Sequence, residues 1–422
     1  MYEVSEVDDR PLRRNRDFNL LWVGQVVSDL GANVSGIAFP LLVLATTGSP
    51  ARAGIVASAA HLPLLVLTLP AGALVDRWGQ KRVLLVADSA RCLALGSLPL
   101  TIALDALTFV QIVVVALVEG AGYVFFGTAE GSALTRVVAD RHLSAALARN
   151  SMRAHTAALA GQPLGGVLFG IGRVVPFLFD AVSYLVSVLT VSFIRTTFRR
   201  ERTSAGRTRL LGDMRAGLDW FWRQPFFRAA SLIALGRSFA VSALYLVVIV
   251  VARERGASPA LIGAMFVFLG VSGILGSFVA PWLSRRLRMR TVVIATTWTG
   301  AALVPLLIIV PGRVAPGVIY AAMYFLHPAW SASVGAYRLR QTPLELQGRV
   351  TSLTTLIAGG PVPLALLGTG FLLEGAGSTP TVLLLSGVMI VVAAAAVLSR
   401  AIKDAPATLP HGARLDGSPA AS

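Results

Sequence analysis

The sequence has few charged residues and almost no cysteine or lysine. Charged residues make up only 14% of its 422 residues, whereas soluble domains contain about a quarter. The single cysteine, Cys92, excludes a disulfide within the chain and a metal site built from several thiolates. Lysine occurs only at Lys81 and Lys403, which we interpret as a composition bias of the source. Residues 1–17 contain no apolar core, so we expect no cleavable signal peptide.

Long apolar runs dominate what is present. The chain is 55% hydrophobic with a mean hydropathy of +0.71, and each membrane span needs about 20 apolar residues. Backbone polar groups cannot stay unpaired in lipid, so runs of this length predict helices. The fifth run is the least regular, because Arg149, Asn150, Arg153 and His155 place its first turns outside the hydrocarbon. The twelve predicted spans are Phe18–Ala45, Ala53–Val75, Val83–Leu104, Leu107–Val137, Leu143–Ile171, Val174–Ile194, Ala229–Ala252, Pro259–Leu283, Thr291–Val310, Ala315–Leu339, Val350–Leu373 and Thr381–Leu398.

The basic residues predict the orientation of these spans. The formal net charge of +16 is divided into short clusters between apolar runs, which argues against a nucleic-acid partner. Most clusters fall in the loops on the side of the N-terminus, and basic loop residues predict the cytoplasmic side. We therefore expect both termini in the cytoplasm of a multi-pass protein of the inner (plasma) membrane. The opposite loops hold only Arg52, Arg173, Arg253, Arg255 and Arg313.

The chain divides into two similar halves. The run Gly48-Ser-Pro50-Ala-Arg-Ala-Gly54 after the first span returns as Ala257-Ser-Pro259-Ala-Leu-Ile-Gly263 after the seventh, an offset of 209 residues. Two halves with an even number of spans have the same topology and are related by an axis normal to the membrane. The sequence thus predicts an all-α membrane protein of 12 transmembrane helices in two pseudo-twofold-related six-helix bundles. The predicted segments are a cytoplasmic N-terminus at 1–17, bundles at 18–194 and 229–399, a cytoplasmic linker at 195–228 and a disordered cytoplasmic tail at 400–422.

A cationic turn with one carboxylate joins the second and third spans. Its residues 72–82 include Asp76-Arg77, Gly79 and the basic pair Lys81-Arg82, and the matching turn of the second half has Ser284 in place of Asp76. Together with other runs in the same order along the chain, this turn resembles the major facilitator superfamily, in the twelve-helix drug:proton antiporter branch with macrolide-efflux and siderophore-exporter members. The other runs are Arg16–Gln25, Thr47–Pro50, Leu62-Pro63, Leu69–Gly72 and Pro176–Tyr184.

The resemblance implies roles for two groups of residues. The turn would be a cytoplasmic gate whose charge network holds the outward-facing state, with Gly72 and Gly79 allowing close backbone approach. The fifth span would carry the packing motif of exporters, although its proline stands one place later than in that motif. The gate residues are Gly72, Asp76, Arg77, Gly79, Lys81 and Arg82, and the packing residues are Gly161, Pro163, Gly165 and Gly166.

Charges deep inside spans are the candidates for coupling, since each costs at least about 2.5–3.5 kcal/mol to insert. Asp29 and Glu119 lie near mid-membrane by the rise of a helix, and Arg237 lies in the seventh span, which faces the central cavity in this superfamily. We predict that Asp29, Glu119 and Arg237 couple protons to substrate. Alternatively, Asp29 and Arg237 form a fixed structural pair across the pseudo-twofold axis. Glu119 has no obvious cationic neighbour in the sequence.

Other charges have simpler interpretations. Asp88 and Arg91 stand three residues apart on one helix face, which favours an intrahelical pair over a proton role. Asp180 lies near the outer face and suggests an interhelical contact. Glu130 and Arg136 lie near the cytoplasmic end of the fourth span, within reach of the turn at 72–82. The histidines lack ligand spacing, so we expect neither a metal nor a cofactor.

The functional prediction is a secondary active transporter, not an enzyme. It would export hydrophobic drugs or secondary metabolites, macrolide-like in class, in exchange for protons by alternating access. The expected partners are the small-molecule substrate, protons and the lipid bilayer, and we expect a monomer. No P-loop for ATP occurs. Two alternatives stay open: an exporter or importer of siderophores or other metabolites, and a non-transporting membrane sensor with the same fold.

Overall fold

The computed structural model describes residues 10–195, 219–343 and 346–404, and these residues form helices in the order that the apolar runs predict. Ten of the helical segments are long and apolar enough to cross a membrane. The predicted N-terminal segment, linker and tail fall largely outside the described residues, so their boundaries stay predictions. The first half contains α1 Arg16–Thr47, α2 Pro50–Trp78, α3 Gln80–Ala103, α4 Phe109–Val137, α5 Asp140–Ile171 and α6 Val175–Ser192. The second half contains α7 Pro225–Glu254, α8 Pro259–Arg286, α9 Met289–Leu303 with Leu306–Ile309, α10 Ala315–Tyr324 with His327–Gln341, α11 Gln347–Gly359 with Pro361–Ala376, and α12 Ser378–Leu398, followed by the short α13 Arg400–Lys403.

Three spans of the second half are interrupted where the sequence predicts single helices. Proline lacks a backbone N–H and restricts the residue before it, which breaks or bends a helix. Pro305 separates the two parts of α9, and Pro361 opens the second part of α11. In α10 the first part ends at Tyr324 and the second begins at His327, just before Pro328.

The repeated Ser-Pro run begins equivalent helices in the two halves. Ser49 caps α2 by accepting a hydrogen bond from the amide of Arg52 at 3.1 Å, and Ser258 caps α8 by accepting from Leu261 at 3.2 Å. In both cases proline occupies the first helical position, where its missing N–H costs nothing. The sequence repeat is therefore also a structural repeat.

The described chain ends lie on one face of the helical assembly, which we call the terminal face; the opposite face is the distal face. Near the distal face two helix pairs join the halves, α2 with α11 and α5 with α8. A Cβ atom on Gly54 would lie 2.9 Å from Gly370 Cα, and one on Gly263 would lie 2.6 Å from Gly166 Cα. Gly54 and Gly263 are 209 residues apart, so the two crossings are equivalent. Only glycine permits backbones this close.

The α1 and α7 helices also meet near the distal face. Tyr245 donates to the Gly36 carbonyl at 3.3 Å, and Arg253 Nη1 donates to the Leu44 carbonyl at 2.5 Å. Each pair is separated by 209 residues, the offset of the repeat. Helices α1 and α7 therefore cross on the pseudo-twofold axis, where Tyr245 and Arg253 each contact their own repeat equivalent.

Candidate functional site

Three helices of the first half bring two carboxylates to one guanidinium, the Arg153 cluster (Asp29, Glu130 and Arg153). Arg153 Nε lies 2.8 Å from Asp29 Oδ2. Its Nη1 and Nη2 donate to the two Glu130 oxygens at 2.8 and 3.2 Å. The Arg153 side chain is only 6% exposed. Since a single guanidinium compensates one carboxylate, the cluster has an excess negative charge whenever both acids are ionised.

A second group, the Arg91 cluster (Asp88, Arg91, Glu119 and Tyr184), joins α3, α4 and α6. Arg91 Nη2 lies 2.5 Å from Glu119 Oε1, and its Nη1 lies 3.3 Å from Asp88 Oδ1. The Tyr184 hydroxyl donates to Glu119 Oε1 at 2.6 Å, and the guanidinium carbon lies 3.9 Å from the centre of the Tyr184 ring. Here too one guanidinium serves two acids. Asp88 Oδ2 is buried and has no hydrogen-bond partner.

A cavity of about 290 Å³ connects the two clusters. Asp29, Glu130 and Arg153 line it from one side and Arg91 from another. Glu119 and Glu130 are 11 residues apart on α4, which is close to three helical turns, so both carboxylates are on one face of that helix. The lining combines charged groups with apolar and aromatic surface, as ligand pockets do. Its remaining residues are Gln25, Ala32, Leu64, Thr68, Tyr123, Val124, Phe126, Gly127, Thr128 and Ala154.

Arg237 of α7 has a different environment. Its Nη2 donates to His327 Nδ1 at 3.0 Å, and its guanidinium carbon lies 5.5 Å from the centre of the Trp330 ring. Its Nε is buried without a hydrogen-bond partner. Among the described residues Arg237 forms no ion pair, and Asp29 contacts Arg153 instead. Asp29 and Arg237 therefore do not form the fixed pair that was the predicted alternative.

The structure also corrects the environment expected for two acids. Glu119 does have a cationic neighbour, Arg91. The guanidinium of Arg91 donates hydrogen bonds to Glu119 as well as to Asp88 on its own helix. Glu130 binds Arg153 and not the turn at 72–82. Asp180 is fully buried; a Cβ on Gly31 of α1 would lie 2.3 Å from its Oδ1, so Asp180 packs closely against another helix, as expected.

The residues of the predicted gate form no charge network among the described residues of this structure. Asp76 and Arg77 are exposed, and neither side chain forms an ion pair or hydrogen bond with a described residue. Lys81 donates to the carbonyls of Ser192 and Ile194 at 2.9 and 2.6 Å, where it closes the end of α6. Arg82 is exposed.

The two glycines of the predicted gate, Gly72 and Gly79, do not have the structural role that was predicted for them. A Cβ on Gly72 or Gly79 would meet no atom within 4 Å, so neither allows a close approach here. Gly79 instead has a φ of 86°, a left-handed conformation that lets α3 begin directly after α2.

The small residues of α5 lie against two helices. A Cβ on Gly161 would lie 2.4 Å from Asn33 Cβ, and one on Gly165 would lie 2.5 Å from the Val34 carbonyl, so both face α1. Gly166 faces α8 of the other half. Pro163 lies inside the continuous helix. The glycines are therefore packing residues in this structure, and the role of these residues as an exporter motif stays a prediction.

Sequence reasoning missed Arg153 as a site residue. Its charged neighbours made the start of the fifth span look external, but α5 is continuous from Asp140 and Arg153 is buried in it. The available signal was a basic residue in an apolar span combined with an unpaired acid, Glu130, in the preceding one. Tyr184 was also missed, since nothing in a sequence shows which acid a buried hydroxyl will contact.

Comparison with known proteins places this arrangement in a family. Residues 10–413 match the model of a major facilitator family described as transmembrane secretion effector. The chain belongs to this family. Solved transporter structures share the fold of this chain. The structure of a mutant of the nucleoside transporter NupG superimposes with a TM-score of 0.71 at 14% sequence identity, and the match covers 90% of this chain and 100% of that one. A bacterial homologue of ferroportin in an inward-facing state has a TM-score of 0.71 at 13% identity, covering 92% and 99%.

The curated relatives of this family member include efflux pumps. The multidrug efflux pump Tap of Mycolicibacterium fortuitum is 26% identical over 401 residues, which cover 91% of this chain and 96% of that protein. Tap of Mycobacterium tuberculosis (strain ATCC 25618 / H37Rv) is 28% identical over 385 residues, 87% of this chain and 89% of that protein. The chain is thus a multi-pass membrane transporter with the major facilitator fold and a small-molecule substrate, and not an enzyme.

Proposed function

We propose that the protein exports cationic, amphipathic small molecules from the cytoplasm in exchange for protons. The observation that supports this most directly is the Arg153 cluster on the cavity wall, where two carboxylates share one guanidinium. An uncompensated carboxylate at this depth costs at least about 2.5–3.5 kcal/mol. It is relieved by one proton or by one bound cation. Because either occupant removes the need for the other, the cluster exchanges them.

Arg153 is the resident cation of this mechanism. When the cavity is empty, its guanidinium bridges Asp29 and Glu130; a substrate cation that enters competes with it for Asp29, the more exposed of the two acids at 24%. Release on the distal side follows when a proton takes the place of the substrate. The Arg91 cluster has the same excess of one carboxylate and borders the same cavity, so it supplies a second position for a proton.

Alternating access follows from the contacts between the halves. The described crossings of α2 with α11 and of α5 with α8 hold the halves together near the distal face, while the gate residues Asp76 and Arg77 are exposed and have no described partner at the terminal face. If the terminal face is cytoplasmic, as the basic loops indicate, this is the state that accepts substrate from the cytoplasm. Export as such agrees with the multidrug efflux pumps among the relatives. We infer in addition that the protein acts in the plasma membrane as a monomer.

The test is dye transport into proteoliposomes under a pH gradient, with rhodamine 123 as a permanent aromatic cation. We expect uptake that depends on the gradient and falls at least tenfold in Asp29→Asn and Glu130→Gln. The matched control is Asp105→Asn, which removes an exposed carboxylate in the loop between α3 and α4 and leaves uptake unchanged. Uptake that ignores the pH gradient, or that survives both substitutions, contradicts the proposal.

A further inference from the structure

Within the part of the chain that the structure describes, Arg237 is a cation without an anionic partner. Its partners are an imidazole and an indole ring, and its Nε has no hydrogen-bond acceptor. Arginine only donates, so His327 accepts through Nδ1 and is the neutral tautomer with a second N–H at Nε2. In the described spans of the second half, carboxylates occur only at Glu254 and Glu374, both on the distal face. A guanidinium in such a place is expensive unless an anion arrives from outside.

The backbone next to Arg237 adds to the positive potential. The α10 helix breaks after Tyr324, and its second part, of 15 residues, begins at His327, the residue that Arg237 contacts. The first amides of a helix are unpaired donors and carry the positive end of its dipole. Here His327 and Ala329 can supply such amides, since Pro328 between them has no N–H. Interrupted helices in transporters direct such ends at anionic groups of the substrate near mid-membrane. His327 is 12 residues from the distal start of α10 at Ala315, which is about 18 Å and therefore near mid-membrane.

The position of Arg237 relative to the Arg153 cluster follows from the crossing of α1 and α7. These helices meet at Gly36 and Tyr245. From that contact, Asp29 is seven residues and Arg237 eight residues nearer the terminal face, which corresponds to about 11 and 12 Å. The carboxylate of Asp29 and the guanidinium of Arg237 therefore lie at a similar depth, one in each half.

We propose that Arg237, with His327 and the start of the second part of α10, forms an anion subsite, and that the preferred substrates are zwitterions. The cationic group of the substrate binds at Asp29 and Glu130, and its carboxylate or similar anion binds at Arg237. This inference rests on the proposed export of cations and adds that the preferred substrates also have an anionic group. A zwitterion spans both halves, so its binding draws the two bundles together and favours the rearrangement that an exporter needs.

The experiment compares two dyes that differ only at one group. Rhodamine 110 has a free carboxylate beside its cationic xanthene ring, and rhodamine 123 is its methyl ester. Binding to the purified full-length protein is measured by fluorescence anisotropy, together with uptake into proteoliposomes. We expect the wild type to bind rhodamine 110 at least about tenfold more tightly than the ester, the size of one charge-assisted interaction. Arg237→Gln removes this preference and leaves the affinity for rhodamine 123 within twofold, whereas Arg237→Lys retains part of it.

The controls separate this inference from the proposed function. Arg228→Gln removes an exposed charge from the same helix and keeps the preference. Thermal unfolding verifies that each variant is folded, and the unchanged affinity for the ester serves as an internal check. Equal affinity for both dyes in the wild type, binding of neither dye, or a preference that survives Arg237→Gln overturns the anion subsite. Transport of rhodamine 123 that still requires Asp29 leaves the proposed cation export intact in that case.

Discussion

The two halves share a backbone plan but differ in how they treat charge. Helices α1, α3, α4, α5 and α6 of the first half bury five carboxylates and two guanidiniums in contact with one another or with buried hydroxyls. The second half, at comparable depth, offers Arg237 with an imidazole and no described acid. The two halves are therefore equivalent where the helices cross and different in their buried charged side chains.

In the proposed mechanism this difference assigns a separate task to each half. A surplus of carboxylates suits the exchange of protons and cations, and an isolated guanidinium suits recognition of an anion. Packing alone would not produce such a division, because uncompensated charges weaken a membrane protein. The asymmetry therefore indicates a division of function between the halves, and the variants below test it.

The largest contrast is expected from removing one arginine in each half. Arg91→Met leaves Asp88 and Glu119 buried without a cation, which costs about 3–5 kcal/mol of unfolding free energy. Arg237→Met removes a cation that has no acid partner, so the stability stays the same or increases. Thermal unfolding in detergent measures both, and equal losses would show that the halves do not differ in this way. The double variant Arg91→Met/Glu119→Gln should recover part of the loss.

The next effect concerns the distal crossing that both halves share. Gly166→Val places a side chain where the Gly263 backbone lies 2.6 Å away, so we expect the distal closure to be lost and transport to fall at least tenfold. Gly170→Ala is the matched control, since its Cβ would meet Ala260 Cβ at an ordinary 3.6 Å. Distances between spin labels on the distal loops report the closure. Normal closure in Gly166→Val would refute the role of this contact.

A smaller difference is expected between two buried tyrosines. Tyr184→Phe removes a hydrogen bond to the carboxylate of Glu119 and should cost about 1.5–3 kcal/mol. Tyr324 packs against His327 in the second half, and among the described residues its hydroxyl has no hydrogen-bond partner. Tyr324→Phe should change the stability by less than about 0.5 kcal/mol. Equal shifts of the unfolding curves for Tyr184→Phe and Tyr324→Phe would show that the hydrogen bond to Glu119 does not contribute more than the packing of Tyr324.

The smallest effect on stability is expected at the terminal face. Asp76 has no partner among the described residues, whereas the hydroxyl oxygen of its repeat equivalent, Ser284, lies 3.1 Å from that of Ser333. We expect Asp76→Asn to leave the unfolding temperature unchanged in this state but to reduce the population in which the terminal face is closed. Accessibility of cysteines introduced on the terminal loops measures that population. An unchanged population would limit the turn to an anchoring role.

The sequence predicted the spans and the repeat well because both depend on local composition and spacing. The Ser-Pro runs gave an offset of 209 residues between the halves. The same offset separates the contacting residues Tyr245 and Gly36, and Arg253 and Leu44. The charge partners were not predictable in the same way. Which helix faces Glu119 or Asp29 depends on how helices are rotated and packed, and one sequence contains no record of that. The breaks in the second half were visible only as isolated prolines.

The crossing of α1 and α7 gives the single chain a property of symmetric dimers. At an isologous interface every contact occurs twice, and a residue on the twofold axis contacts its own copy, so one substitution changes both sides of the interface. In this chain the two equivalent positions are encoded separately, so a substitution at one position can be compensated by a substitution at the other. Substitutions along the axis should therefore be interdependent in pairs 209 residues apart, while positions that face the lipid vary independently.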